Sequence, residues 1–199
     1  MLTRILPLLM ALCALIVVHP AQAAVTITFW SHELGSSFPH AFFTLRGVPD
    51  AGGAAVDANY GFTPKTISPA ILMGTVPGRL DIAKPAYIAN SDAQFSLVLS
   101  DTQYARVMAL VAAWDERTGD GQYHMNRRNC VHFVQEAAKI AGVAQVDFPA
   151  LMKKPRSYLK AVATANAGRV RMVAMDGKAY LASLPPLVTA SAAGTALTR

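Results

Sequence analysis

The sequence predicts an α+β domain: an antiparallel sheet packed against helices, one of which begins with a cysteine. Three observations predict it. Residues 24–62 alternate apolar and polar side chains with a period of two, broken by glycine-containing turns. Residues 100–118 and 130–141 space their apolar side chains three and four apart, as a helix facing a core does. The early strands are joined by short connections, which suit antiparallel pairing.

The N-terminus comes first. Arg4, an apolar core over residues 5–18 and the small-x-small ending Ala21-Gln22-Ala23 form a secretory signal pattern, with cleavage expected after Ala23. The apolar run is short for a membrane span and no second run follows, so no transmembrane anchor is expected. Cys13 lies inside that core without the small residue that precedes a lipoprotein cysteine, so no lipid anchor is expected either. The organisation read from this is a signal peptide over 1–23, one domain over 24–184 and a loosely ordered tail over 185–199. A mature chain of about 175 residues can bury a real core. The expected location is the periplasm or outside the cell.

Two cysteines are present in the 199 residues, and cleavage leaves Cys130 alone. An unpaired thiol in an exported chain is explained by reactivity, burial or pairing with another chain. The formal charge of +6 is scattered, apart from Arg127, Arg128 and the Lys153, Lys154, Arg156 group. Such an excess suits an anionic envelope and does not specify nucleic acid. Zinc-finger spacing, a dinucleotide fingerprint and a phosphate-cradling glycine loop are missing from the sequence, so no metal or cofactor is expected.

The elements follow in order. Residues 24–30 read as a strand, 31–37 as a polar loop holding His32, and 38–46 as a second strand whose Pro39 suits its first residues. A glycine-rich turn over 47–53 leads to a third strand over 54–62. Residues 63–84, rich in proline and glycine, read as a long surface excursion whose Ile71, Leu72 and Met73 seal a groove or pack on the core. Residues 86–89 read as a short strand and 94–99 as a firmer one. Ser100 and Gln103 form a capping box for the next helix. Residues 157–167 read as a helix. Asp176-Gly177, between two alternating runs, reads as a hairpin turn.

The stretch from Tyr123 to Gly142 organises the chain's chemistry. Asn129 caps a helix, Cys130 is its first residue, and Gly142 stops it. A thiol in the first turn sits beside unpaired backbone N–H groups, which favour the thiolate and can receive an oxyanion. The competing reading is an inert, buried cysteine. A reactive thiol needs a base, and the base needs an orienter. The sequence offers His32, His40, His124 and His132. His132 is two residues from Cys130 and faces another side of the helix. His32, His124 and Tyr123 suit substrate contact, and the two histidines are also alternative bases. His40 is the best candidate because it lies on a strand, and Asp57 or Asn59 on the neighbouring strand are candidate orienters.

These residues resemble a known pattern. H-A-F-F-T-L-R-G from His40, N-Y-G-F from Asn59 and N-C-V-H-F from Asn129, with Tyr123 and Asn126 upstream, resemble the circularly permuted NlpC-type papain-like cysteine hydrolases. That superfamily includes YaeF/YiiX-like exported proteins, PPPDE peptidases and lecithin:retinol acyltransferase. The resemblance covers roughly residues 38–142. It implies a permuted papain-like fold in which the histidine strand precedes the cysteine helix, with Cys130 as nucleophile, His40 as base and no cofactor. With the export signal, it implies an amidase or peptidase acting on peptidoglycan stem peptides or envelope proteins. Two alternatives stand beside it: a thioester-forming acyltransferase or lipid hydrolase using the same pair, and a non-enzymatic envelope binding protein that retains the fold.

Overall fold

The computed structural model describes residues 24–33 and 38–187. The expected signal peptide and residues 188–199 of the expected tail lie outside them. β1 (Thr26–His32), β2 (His40–Gly47) and β3 (Val56–Pro64) form the antiparallel meander that their alternation predicts. α1 (Ala70–Met73), β4 (Thr75–Asp81), α2 (Pro85–Ala89), β5 (Asp92–Val98) and α3 (Asp101–Trp114) follow. Then come β6 (Gln122–His124), α4 (Cys130–Ile140), a 3₁₀ turn (Pro149–Leu151), α5 (Pro155–Ala165), β7 (Arg171–Asp176) and α6 (Gly177–Ser183). Among the described residues the strands form one seven-stranded sheet in the order β6-β4-β3-β2-β1-β5-β7, with every neighbouring pair antiparallel.

Alternation along the strands sends side chains to two layers. Phe29, Phe43, Leu45 and Phe95 point into the main core, where α4 packs on β2 and β3, α5 on β1 and β5, and α3 on α4. Phe133 of α4 stacks on Phe43 at 5.3 Å between ring centroids and packs against Trp114 of α3 at 5.1 Å, so α4 is held by aromatic contacts as well as by buried area. Trp30, Phe42, Ala93 and Tyr180 form a smaller cluster on the other face, beneath α2 and α6.

Three expectations are corrected. The excursion over 63–84 contains α1 and an interior strand, β4, between β3 and β6. Its Pro77 and Gly78 look like loop signals. Gly78 is needed there because a Cβ would lie 2.7 Å from Phe62 and 2.9 Å from Tyr123. Residues 86–89 are helical, since Pro85 at the first helical position starts a turn after extended Lys84. Asp176-Gly177 is the start of α6 rather than a hairpin: the Asp176 carboxylate accepts the Ala179 N–H at 3.0 Å. Gly177 answers to close packing, because a Cβ there would lie 2.3 Å from the Ile88 carbonyl oxygen. In the tail, the Pro185 carbonyl accepts a hydrogen bond from Arg46 at 2.6 Å.

Candidate active site

Cys130 opens α4 where its cap predicts. The Asn129 side-chain oxygen accepts the N–H groups of Val131 at 2.8 Å and His132 at 3.1 Å. The same side chain donates to the carbonyls of Met125 at 2.7 Å and Met152 at 2.8 Å. Asn129 therefore ties the start of the cysteine helix to the segments on either side of it, and it is 2% exposed. The His132 ring completes the capping box against Asn129. It is a structural partner of the cap, as its position two residues from Cys130 suggests.

His40 is the first residue of β2, and its side chain lies on the Phe42 face, stacked 6.2 Å from that ring. α4 packs on the opposite, Phe43 face. Both groups nevertheless line one cleft of about 520 Å³, because it opens around the end of the sheet where β2 begins. The backbone N–H of Ala41, the residue next to His40, is among the groups that favour the Cys130 thiolate.

Asp81 of β4 is the carboxylate that faces the imidazole. Its carboxylate lies 4.0 Å from His40 Nε2, an atom with no hydrogen-bond partner among the described residues. The negative charge favours the tautomer with its proton on Nε2, which leaves Nδ1 as the free base. Gly61 of β3 lies between them, opposite Asp81 in the ladder. A Cβ on Gly61 would meet Nε2 at 2.3 Å. The ring thus crosses β3 through the space that glycine leaves.

The expected orienters are both engaged elsewhere. Asp57 pairs with Arg46 at 3.2 Å, near the other end of β2. Asn59 exchanges two hydrogen bonds with the Ala83 backbone, at 2.6 and 3.2 Å. Asp81 went unnoticed because the alternation of β4 is masked by Pro77 and Gly78. His32 ends β1 rather than lying in a loop, and it pairs directly with His40 in the ladder. Its ring stacks on Tyr87 at 4.2 Å and hydrogen-bonds Ser91 Oγ at 3.1 Å. His124 sits on β6 and accepts the Asn126 N–H at 3.1 Å. Neither histidine lines the cleft, whereas Tyr123 does, together with Met125, Lys65 and Arg79.

Burial sets the resting charge state. Loss of water pushes the Cys130 thiol up to about 11, against the opposing pull of the Ala41, Val131 and Cys130 N–H groups. The thiolate expected from the helix terminus is therefore not favoured at rest. Burial also pushes His40 down to about 4, with Asp81 working against it and His32 with it. Burial first, and then the nearby Cys130, raises the Tyr123 phenol. The resting pair is a neutral thiol and a neutral imidazole.

The shift at His40 has a consequence for stability. The unfolded chain binds this proton below its ordinary value of 6.5, whereas the folded chain binds it only below about 4. His40 therefore opposes folding as pH falls through that window, by about 3 kcal/mol once both states are protonated. Urea unfolding of wild type and His40→Gln at pH 7 and pH 4.5 should show the wild type losing more stability on acidification. Equal losses would remove His40 as the cause.

No family model matches this chain, and no curated protein or solved structure matches it significantly.

Proposed function

We propose that this protein is a cysteine hydrolase that cleaves an amide bond through Cys130, His40 and Asp81. The observation that carries the reading is that Cys130, His40 and Asp81 line one cleft, with the Asp81 carboxylate 4.0 Å from His40 Nε2. The resemblance to permuted NlpC-type papain-like enzymes supports it. So does the arrangement of an antiparallel sheet against the cysteine helix, with the histidine strand earlier in the chain.

The chemistry runs by general-base catalysis from the neutral pair. As sulfur bonds to the substrate carbonyl carbon, its proton passes to His40 Nδ1 and the carbonyl electrons move onto oxygen. The Cys130 backbone N–H holds that oxyanion. Asp81 stabilises the imidazolium through Nε2. Collapse expels the amine, which takes the proton from His40 and leaves a thioester. Water, losing a proton to His40, then attacks the thioester and releases the acid and the thiol. For an exported chain, peptidoglycan stem peptides or envelope proteins are the natural amides.

A second reading uses the same pair to cleave acyl esters or pass the acyl group to another nucleophile. The apolar walls of the cleft, including Phe38, Phe62, Ile67 and Ile71, favour it. Mass spectrometry of protein quenched during turnover distinguishes the readings. Muropeptide fragments should leave an acyl adduct on Cys130 and release a free amine. An adduct formed only from acyl esters supports the second reading. With neither substrate class giving an adduct, the binding-protein alternative stands.

A further inference from the structure

We propose that the apolar tip at the mouth of this cleft seats on an anionic phospholipid bilayer. α1 is four residues long and divides its side chains sharply. Ile71 is buried and lines the cleft, whereas Leu72 and Met73 are 78% and 88% exposed. Phe38 and Ile67, each 57% exposed, line the same cleft. Among the described residues, Ile82, Val98, Met172, Met175 and Leu181 are exposed outside α1 and the cleft lining. Phe38, Ile67, Leu72 and Met73, by contrast, belong to the cleft or to the helix whose Ile71 lines it, and such a grouping marks an interaction surface.

Charge selects the occupant. Thr75, two residues beyond Met73, pairs with His124, whose carbonyl accepts the Arg127 N–H at 3.1 Å. Asn129 joins Met125, which lines the cleft, to Met152, and the exposed Lys153 and Lys154 follow Met152 in the chain. Arg127, Lys153 and Lys154 have no ion pair among the described residues. Apolar side chains with cations bordering them match a surface of acyl chains beneath anionic headgroups. No described helix is long and apolar enough to cross a membrane, so this contact is peripheral. It presents the cleft to the bilayer and does not depend on Cys130 chemistry.

Vesicle flotation tests the proposal. Protein recovered after export, its N-terminus established by mass, is mixed with phosphatidylglycerol–phosphatidylcholine vesicles or with phosphatidylcholine alone. Binding is expected on the anionic vesicles and should weaken with added salt. Leu72→Asp/Met73→Asp should bind at least ~10-fold more weakly, and Leu72→Ser/Met73→Ser should lose binding in the same direction. Lys153→Ala and Lys154→Ala should each cost about fivefold on anionic vesicles only. Cys130→Ser should bind as wild type, so failure of the catalytic reading leaves this result intact. Binding unaffected by the α1 substitutions, or no binding at all, overturns the proposal. So does a self-associated wild type that Leu72→Asp/Met73→Asp converts to monomer, because the occupant is then a second copy of the chain.

Discussion

Gly61→Ala is expected to lower kcat/KM by about 10³ while the domain stays folded. The added Cβ would lie 2.3 Å from His40 Nε2, 3.1 Å from Cε1 and 3.3 Å from the Phe42 Cβ. Its three nearest neighbours are thus side-chain atoms, two of them on the imidazole, and the ring is what yields. Gly61 is not among the positive-φ glycines, so alanine fits its backbone. Alanine in a strand also restricts the unfolded chain more than glycine does, which offsets part of any packing cost. The ring that moves loses its approach to Asp81, and a catalytic group displaced by about 1 Å costs on the order of 10² in rate. Losing the carboxylate that selects its tautomer costs more. Asp81→Asn should therefore cause a loss of similar size. The double variant should be little worse than the poorer single one, because both act on the same ring. Thermal unfolding of each variant checks the fold. A fully active Gly61→Ala would show that His40 does not work from the position it occupies across β3.

Alkylation of Cys130 should be slow at neutral pH and titrate near 11. At pH 7 that leaves about one thiolate in 10⁴, so a small neutral reagent should react about 10²-fold more slowly than with the urea-unfolded chain, whose thiol titrates near 8.5. His40→Ala should leave this curve nearly unchanged, since a neutral imidazole contributes no charge to the resting thiol. The same variant should abolish turnover, because the proposed mechanism needs the imidazole when sulfur attacks. Loss of activity without a change in thiol titration is thus the signature of general-base catalysis from a neutral pair. The stability consequence has its own sign. The folded thiol keeps its proton to higher pH than the unfolded one, so its contribution is full below the unfolded value and lost as pH rises towards about 11. A titration midpoint below 8.5 that moves upward in His40→Ala would restore a resting thiolate–imidazolium pair and overturn the neutral one.

Several parts of the site were legible because local rules decide them. Asn129 before an apolar stripe is enough to begin a helix, and the observed cap uses that side chain as expected. Period-two alternation places His40 on a strand, with the strand of Asn59 and Gly61 beside it. Ser100 and Gln103 form their capping box for the same local reason. Where local signals compete, they mislead. Pro77 and Gly78 read as loop, yet the space Gly78 leaves for Phe62 and Tyr123 keeps β4 in the sheet. Asp176-Gly177 reads as a turn, yet the aspartate caps a helix and the glycine admits the Ile88 carbonyl.

By itself the sequence determined that an antiparallel sheet would carry a histidine and that a capped helix would begin with Cys130. Both follow from periodicity and from unpaired N–H groups at a helix end, which act within a few residues. Tertiary structure alone decided which carboxylate faces His40, because the order β4-β3-β2 brings Asp81 across Gly61 and leaves Asp57 with Arg46. It also decided the charge of the thiol. Helix polarity favours the anion over one turn, but desolvation depends on everything packed around the sulfur, and here burial outweighs three backbone N–H groups.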